Sequence, residues 1–127
     1  SLAPSYTYIQ NAKCLLYYKL STYYSDFSQA LEYKRKADEL ANKLLITIGR
    51  EDPHISHIHC KGVYGFINKW VVEKEEKKLR LKELKSIIEG AVKMHPRDRK
   101  LDLASQAINR AYLQLGMDEE MPNPENH

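Results

Sequence analysis

The stretch Asp26-Phe27-Ser28-Gln29-Ala30-Leu31-Glu32-Tyr33-Lys34-Arg35-Lys36-Ala37-Asp38-Glu39-Leu40 decides how this chain folds. It contains no Gly and no Pro. Its apolar residues Phe27, Ala30, Leu31, Ala37 and Leu40 continue as Ala41 and Leu44, and together they trace one stripe of an α-helix. Ser25-Asp26 forms a cap-like pair in which Asp26 accepts from the free N–H groups of the first turn. Gly49 suits the position just past the helix end. The spacing therefore predicts a helix over about 26–48.

Other helices follow on either side. Pro4 suits a first helical turn, and Ser5 to Tyr24 has no breaker, so a helix is predicted over about 5–24. Downstream, Asp52 is placed as an N-cap and Pro53 as the first helical residue. A last helix is predicted over about 99–115, starting soon after Pro96 and ending at Gly116. Between them, 53–95 is 43 residues long. One helix of that length would span about 65 Å, which a domain of this size cannot cover. The run Glu73-Lys74-Glu75-Glu76-Lys77-Lys78 has no apolar residue, so a turn is placed there, with helices over about 53–73 and 78–95. The rival is one long helix with a short coiled-coil seam at Leu81, Leu84, Ile88 and Ala91.

Composition agrees with an all-α fold of about five helices in antiparallel hairpins. The 127 residues include only five Gly and five Pro, too few turn residues for a β-sandwich. No apolar run is long enough to span a membrane. Cys14 and Cys60, with no secretory mark nearby, read as reduced thiols in a cytoplasmic setting. The chain begins without Met and is read as part of a larger signalling or assembly protein. The net charge of +3 conceals an asymmetry. Residues 117–127 carry Asp118, Glu119, Glu120 and Glu125 without Lys or Arg, and are predicted to form an acidic, disordered tail. The rest holds 20 basic against 13 acidic side chains, or +7, a mild attraction for acidic partners.

The stretch 26–40 resembles the second helix of a tetratricopeptide repeat (TPR): an aromatic after the turn, then Ala30, Tyr33, Ala37 and Leu40 at the family's spacings. Small alanines there let neighbouring helices approach closely. Ile87 to Pro96 resembles the end of another such helix, through Ala91, Met94 and Pro96. Ala107 to Gly116 resembles a first helix, with Tyr112 four before the glycine. Ala37 to Ala91 is 54 residues, against a family period of about 34, so the second unit is enlarged. The family's Trp-x-x-Leu-Gly is replaced by Cys14, Tyr17 and Tyr18. His57 to Tyr64 is similar to His…Gly-x-x-Tyr helices in the C-terminal arms of large signalling or antiviral ATPases.

The TPR resemblance implies a non-enzymatic scaffold whose first helices line a groove for a protein or peptide partner. Carried over from Ala30, the groove positions are Ala12, Leu15, Lys19, Thr22 and Tyr23 on the first helix. Phe66, Lys69 and Trp70 are the candidates on the third. The clamp that some family members use for C-terminal carboxylates does not tolerate Leu15. Nine tyrosines and one Trp supply inter-helix wedges, or anchors where partly exposed.

Two alternatives compete. A module contacting nucleic acid would use Lys69, Lys74, Lys77, Lys78, Arg80, Lys82 and Lys85, although four glutamates interrupt that segment. A self-associating bundle would pair the Leu81–Ala91 stripe between chains. The stretch Asp52-Pro53-His54-Ile55-Ser56-His57-Ile58-His59-Cys60 also invites a metal reading. His54, His57 and Cys60 lie three apart on a helix, drifting about 60° per step, and Cys14 could be the fourth ligand of a zinc ion. The simpler reading makes Ile55, Ile58 and Gly62 a core stripe, with histidines at its edges and Cys60 a small buried side chain. No metal or other cofactor is assigned. A phosphate loop, a nucleophile elbow and an HExxH pair are all absent, so no enzyme is expected.

Overall fold

The computed structural model describes residues 4–120. They form five α-helices: α1 (Pro4–Tyr23), α2 (Phe27–Ile48), α3 (Pro53–Trp70), α4 (Lys74–Met94) and α5 (Arg99–Glu120). The described residues contain no strand, and none of their helices is long and apolar enough to cross a membrane.

The chain punctuates itself largely with acidic caps, whose carboxylates neutralise the positive end of each helix. Asp26 accepts from the Ser28 N–H at 3.4 Å, and Asp52 from the His54 N–H at 2.9 Å with Pro53 in the first turn. Asp98 accepts from the Leu101 N–H at 2.9 Å. The α3–α4 turn comes earlier than expected, at residues 71–73. The charged run is the start of α4 rather than a turn, because Glu73 caps it, accepting from the N–H groups of Glu75 at 3.0 Å and Glu76 at 2.7 Å. Acidic residues lacking apolar neighbours are as natural at a helix N-terminus as in a loop, and here the dipole favours the helix. The end of α2 falls at Ile48 as predicted, whereas that of α5 moves. Gly49 closes α2 in a right-handed conformation instead of the left-handed one, and Gly116 costs α5 some stability without ending it. Met117–Glu120 thus belongs to α5, and residues 121–127 of the expected tail lie outside the described residues.

Helix α3 packs on all four others, α1 packs on α2, and α4 packs on α5. Among the described residues, α2 and α4 do not pack on each other. Cross-chain pairs fix the directions: Asn11 bonds Asp52, and Lys69 bonds the end of α1, so α1 and α3 run parallel. Lys100 lies near His54 and His57, and Ile108 packs with Ile67, so α5 runs parallel to them. The core has two clusters. Cys14, Tyr18, Ala37, Ala41, Leu44, Ile55 and Ile58 join α1, α2 and the first half of α3. Cys60, Ile67, Leu81, Leu84, Ile88, Ala104 and Ile108 join its second half to α4 and α5. Val63 touches both. Ala30, Ala37 and Ala41 are fully buried, so the small face of α2 does permit close approach. Leu81, Leu84 and Ile88 are buried within the chain, which removes that stripe from any pairing between chains.

Candidate functional site

A furrow of about 330 Å³ runs between α1, α3 and α5. Leu15, Lys19 and Thr22 form its α1 wall. His54, His57, Ile58, Lys61 and Gly65 line it from α3, and Lys100 from α5. Three of the expected groove residues, Leu15, Lys19 and Thr22, are therefore together in one place. Tyr23 is not with them: it is 77% exposed and stands edge-on to Tyr24 at 5.4 Å, outside the furrow. Ala12 is exposed but likewise does not line it.

The α3 candidates are placed differently. Phe66 is 3% exposed and packs against Phe27. Trp70 donates its Nε1–H to the Ser21 carbonyl at 2.9 Å and stands edge-on to Phe27 at 5.3 Å. Lys69 donates to the carbonyls of Thr22 at 2.5 Å and Tyr24 at 2.8 Å. Lys69 and Trp70 clasp the C-terminus of α1, whose last carbonyls lack helical partners. The stripe that lines the furrow is instead His54, Ile58, Lys61 and Gly65, spaced four, three and four residues apart. Phe66 is one residue, or about 100°, around from Gly65. That basic stripe was visible as a periodicity. What was not visible was the partner of Gly62, which seats α3 on Tyr18: a Cβ there would lie 2.2 Å from Tyr18 Cγ, so the two helices meet at this residue.

Beneath the furrow is a buried polar chain. The Tyr18 hydroxyl donates to Asp38 Oδ1 at 2.5 Å and lies 2.6 Å from His59 Nδ1. A hydroxyl has one proton, so His59 donates from Nδ1 to Tyr18, leaving Nε2 as its only site for a second proton. Lys34 completes the chain at 2.6 Å from Asp38 Oδ2. Burial, with the Asp38 carboxylate, pushes the Tyr18 phenol well above its ordinary range and keeps it protonated. Burial, aided by Lys34, holds His59 below the usual histidine value despite Asp38. This arrangement orients side chains but contains no activated nucleophile. Burial pushes the Cys60 thiol up to about 12, and Cys14 also to about 12, with Asp38 adding to the effect.

The metal alternative does not assemble. His54 and His57 face the furrow, whereas Cys60 is 1% exposed and packs in the second cluster. Two steps of about 60° carry it off their face. Cys14 donates to the Ala37 carbonyl at 3.5 Å within the other cluster. Among the described residues, no group of three or more His, Cys, Asp or Glu side chains could hold a metal. The basic segment of α4 is also partly neutralised, by Arg80–Glu76 at 2.8 Å and Lys85–Glu89 at 2.7 Å, with Lys69 committed to α1.

A second depression, of about 420 Å³, lies on the opposite side, where α2 and α4 leave α3 uncovered. Its walls are mainly apolar and include Ile46, Ile87 and Met94, all exposed. His95 closes one end by donating from Nε2 to the Gly49 carbonyl at 2.8 Å. No family model, curated protein or solved structure matches the chain.

Proposed function

We propose that this chain is a non-enzymatic protein-binding module, a TPR-like pair of helical hairpins with a fifth helix, working in the reducing environment of the cytoplasm. The observation that carries this reading is the furrow itself: three parallel helices turn one face each toward a common channel, and Leu15, Lys19 and Thr22 contribute from the positions the repeat would use. The order of packing supports it, since α1, α3 and α5 touch in sequence with α2 and α4 behind them. Free, buried Cys14 and Cys60 accord with a reducing compartment. A channel of parallel helices suits an extended segment of a partner. Nucleic-acid binding through α4 has less support, given the ion pairs that occupy Arg80 and Lys85.

Site-specific photocrosslinking tests the reading. A photoreactive amino acid at Leu15 or Thr22 should capture discrete partner proteins from cell extract, and the same group at Lys43, on the outer face of α2, should not. Equal capture from Lys43, or none from the furrow, would refute it.

A further inference from the structure

The furrow has a one-sided charge pattern. Its lining holds Lys19, Lys61, Lys100, His54 and His57, and neither Asp nor Glu. Elsewhere the basic side chains Lys34, Arg80 and Lys85 sit in ion pairs with residues four apart. Among the described residues, Lys19, Lys61 and Lys100 have no such carboxylate. Two acids lie at the furrow's edge, both as helix caps: Asp52, whose Oδ1 is taken by the His54 N–H, and Asp98, beside Arg99, whose Oδ1 is taken by the Leu101 N–H. Three ammonium groups are thus held on three different helices around one channel, with no ion-pair partner among the described residues. Such a channel concentrates positive potential and attracts an anionic occupant.

Resting on the protein-binding reading above, we infer that the furrow's occupant is an acidic, extended peptide segment whose carboxylates seat on Lys19, Lys61 and Lys100. Apolar side chains of the same segment lie on Leu15 and Ile58, between the cations. The apolar surface that Leu15 and Ile58 add to the lining favours a polypeptide over a phosphate backbone. His57 accords with this. It is half-buried among Lys61, His54 and Lys100, with only Asp98 opposing them, and burial followed by Lys61 holds its proton affinity below the usual histidine value. A carboxylate arriving there raises that affinity, so binding takes up a proton.

The test uses the full chain and three fluorescent probes read by anisotropy: a peptide of alternating Glu and Leu, the same peptide with Gln for Glu, and a single-stranded RNA oligonucleotide. The Glu peptide should bind and the Gln peptide should bind at least about tenfold more weakly. Lys61→Glu/Lys100→Glu should weaken the Glu peptide at least about tenfold, and Lys43→Glu/Lys82→Glu, with the same change in net charge, should not. Binding should strengthen as pH falls through the His57 range, and His57→Gln should flatten that dependence. Equal binding of both peptides at the furrow would overturn the acidic assignment while leaving the protein-binding reading intact. Failure of the Glu peptide to bind up to millimolar concentration, equal loss in the Lys43/Lys82 control, or furrow-dependent binding of RNA in its place would each overturn it.

Discussion

Three glycines in these helices should respond to the same substitution with opposite signs. In a helix interior, Gly→Ala stabilises by about 1 kcal/mol where the new methyl has room. At Gly90 a Cβ would meet nothing within 4 Å, and at Gly65 only Thr22 Cγ2 at 3.7 Å, an ordinary contact. Gly90→Ala and Gly65→Ala should therefore each stabilise by about 0.5–1 kcal/mol. At Gly62 the methyl would lie 2.2 Å from Tyr18 Cγ, closer than real Cβ atoms approach. The ring cannot easily retreat, because its hydroxyl is held by Asp38 at 2.5 Å and His59 at 2.6 Å. Overpacking costs about 1–3 kcal/mol, and stretching those bonds adds about 1–2 more. Subtracting the helix-propensity gain leaves Gly62→Ala destabilised by about 1–4 kcal/mol, a large part of a typical domain's stability. Urea titrations of the three variants beside wild type would measure this as shifts in midpoint at constant slope. If Gly62→Ala unfolded within about 0.5 kcal/mol of wild type, the close contact of α1 and α3 at this residue would be refuted.

Other consequences are also measurable. Tyr18→Phe removes a donor to Asp38 and orphans the buried His59 Nδ1–H, so it should cost about 2–4 kcal/mol in urea. A loss under about 0.5 kcal/mol would mean the polar chain contributes little. His59 is held below its unfolded value of 6.5 chiefly by burial, so the unfolded state binds the proton first. The stability it contributes is complete above that value and declines as pH falls below it, levelling once the folded state is protonated too. Urea midpoints taken from pH 7 downward should show this, with a shallower slope in His59→Gln. A slope of the opposite sign would contradict the assigned environment. Cys14 and Cys60 should resist thiol reagents in native buffer and react promptly in urea; rapid native labelling would contradict their burial.

Much of the fold was legible because the chain marks its boundaries with side-chain chemistry that acts locally. Asp26, Asp52 and Pro53 announce helix starts by their own hydrogen-bonding capacity, whatever the tertiary context. The α3–α4 turn was misplaced because Glu73 is equally at home in a loop, and only its bonds to Glu75 and Glu76 reveal a cap. On α1, Leu15, Lys19 and Thr22 were placed by the register carried over from Ala30 through the repeat resemblance, and they lie together along the furrow. The α3 register was not accessible in that way. It depends on Gly62 meeting Tyr18, a contact between residues 44 apart in sequence. Lys100 reaches the furrow only because α5 runs parallel to α3, a relation that no local periodicity encodes.

Helix α3 supplies a wall to both core clusters, and Val63 belongs to each. The chain consequently has no seam at which it could be cut into self-sufficient halves. A fragment ending in the α2–α3 turn would lose the Ile55 and Ile58 that close its core, and one beginning there would expose those same residues to water. Because one element closes both clusters, unfolding is expected to be all-or-none across the five helices. Hydrogen exchange should find α3 opening last, at the free energy of the whole domain. One helix of 18 residues provides that cooperativity by standing between two partners.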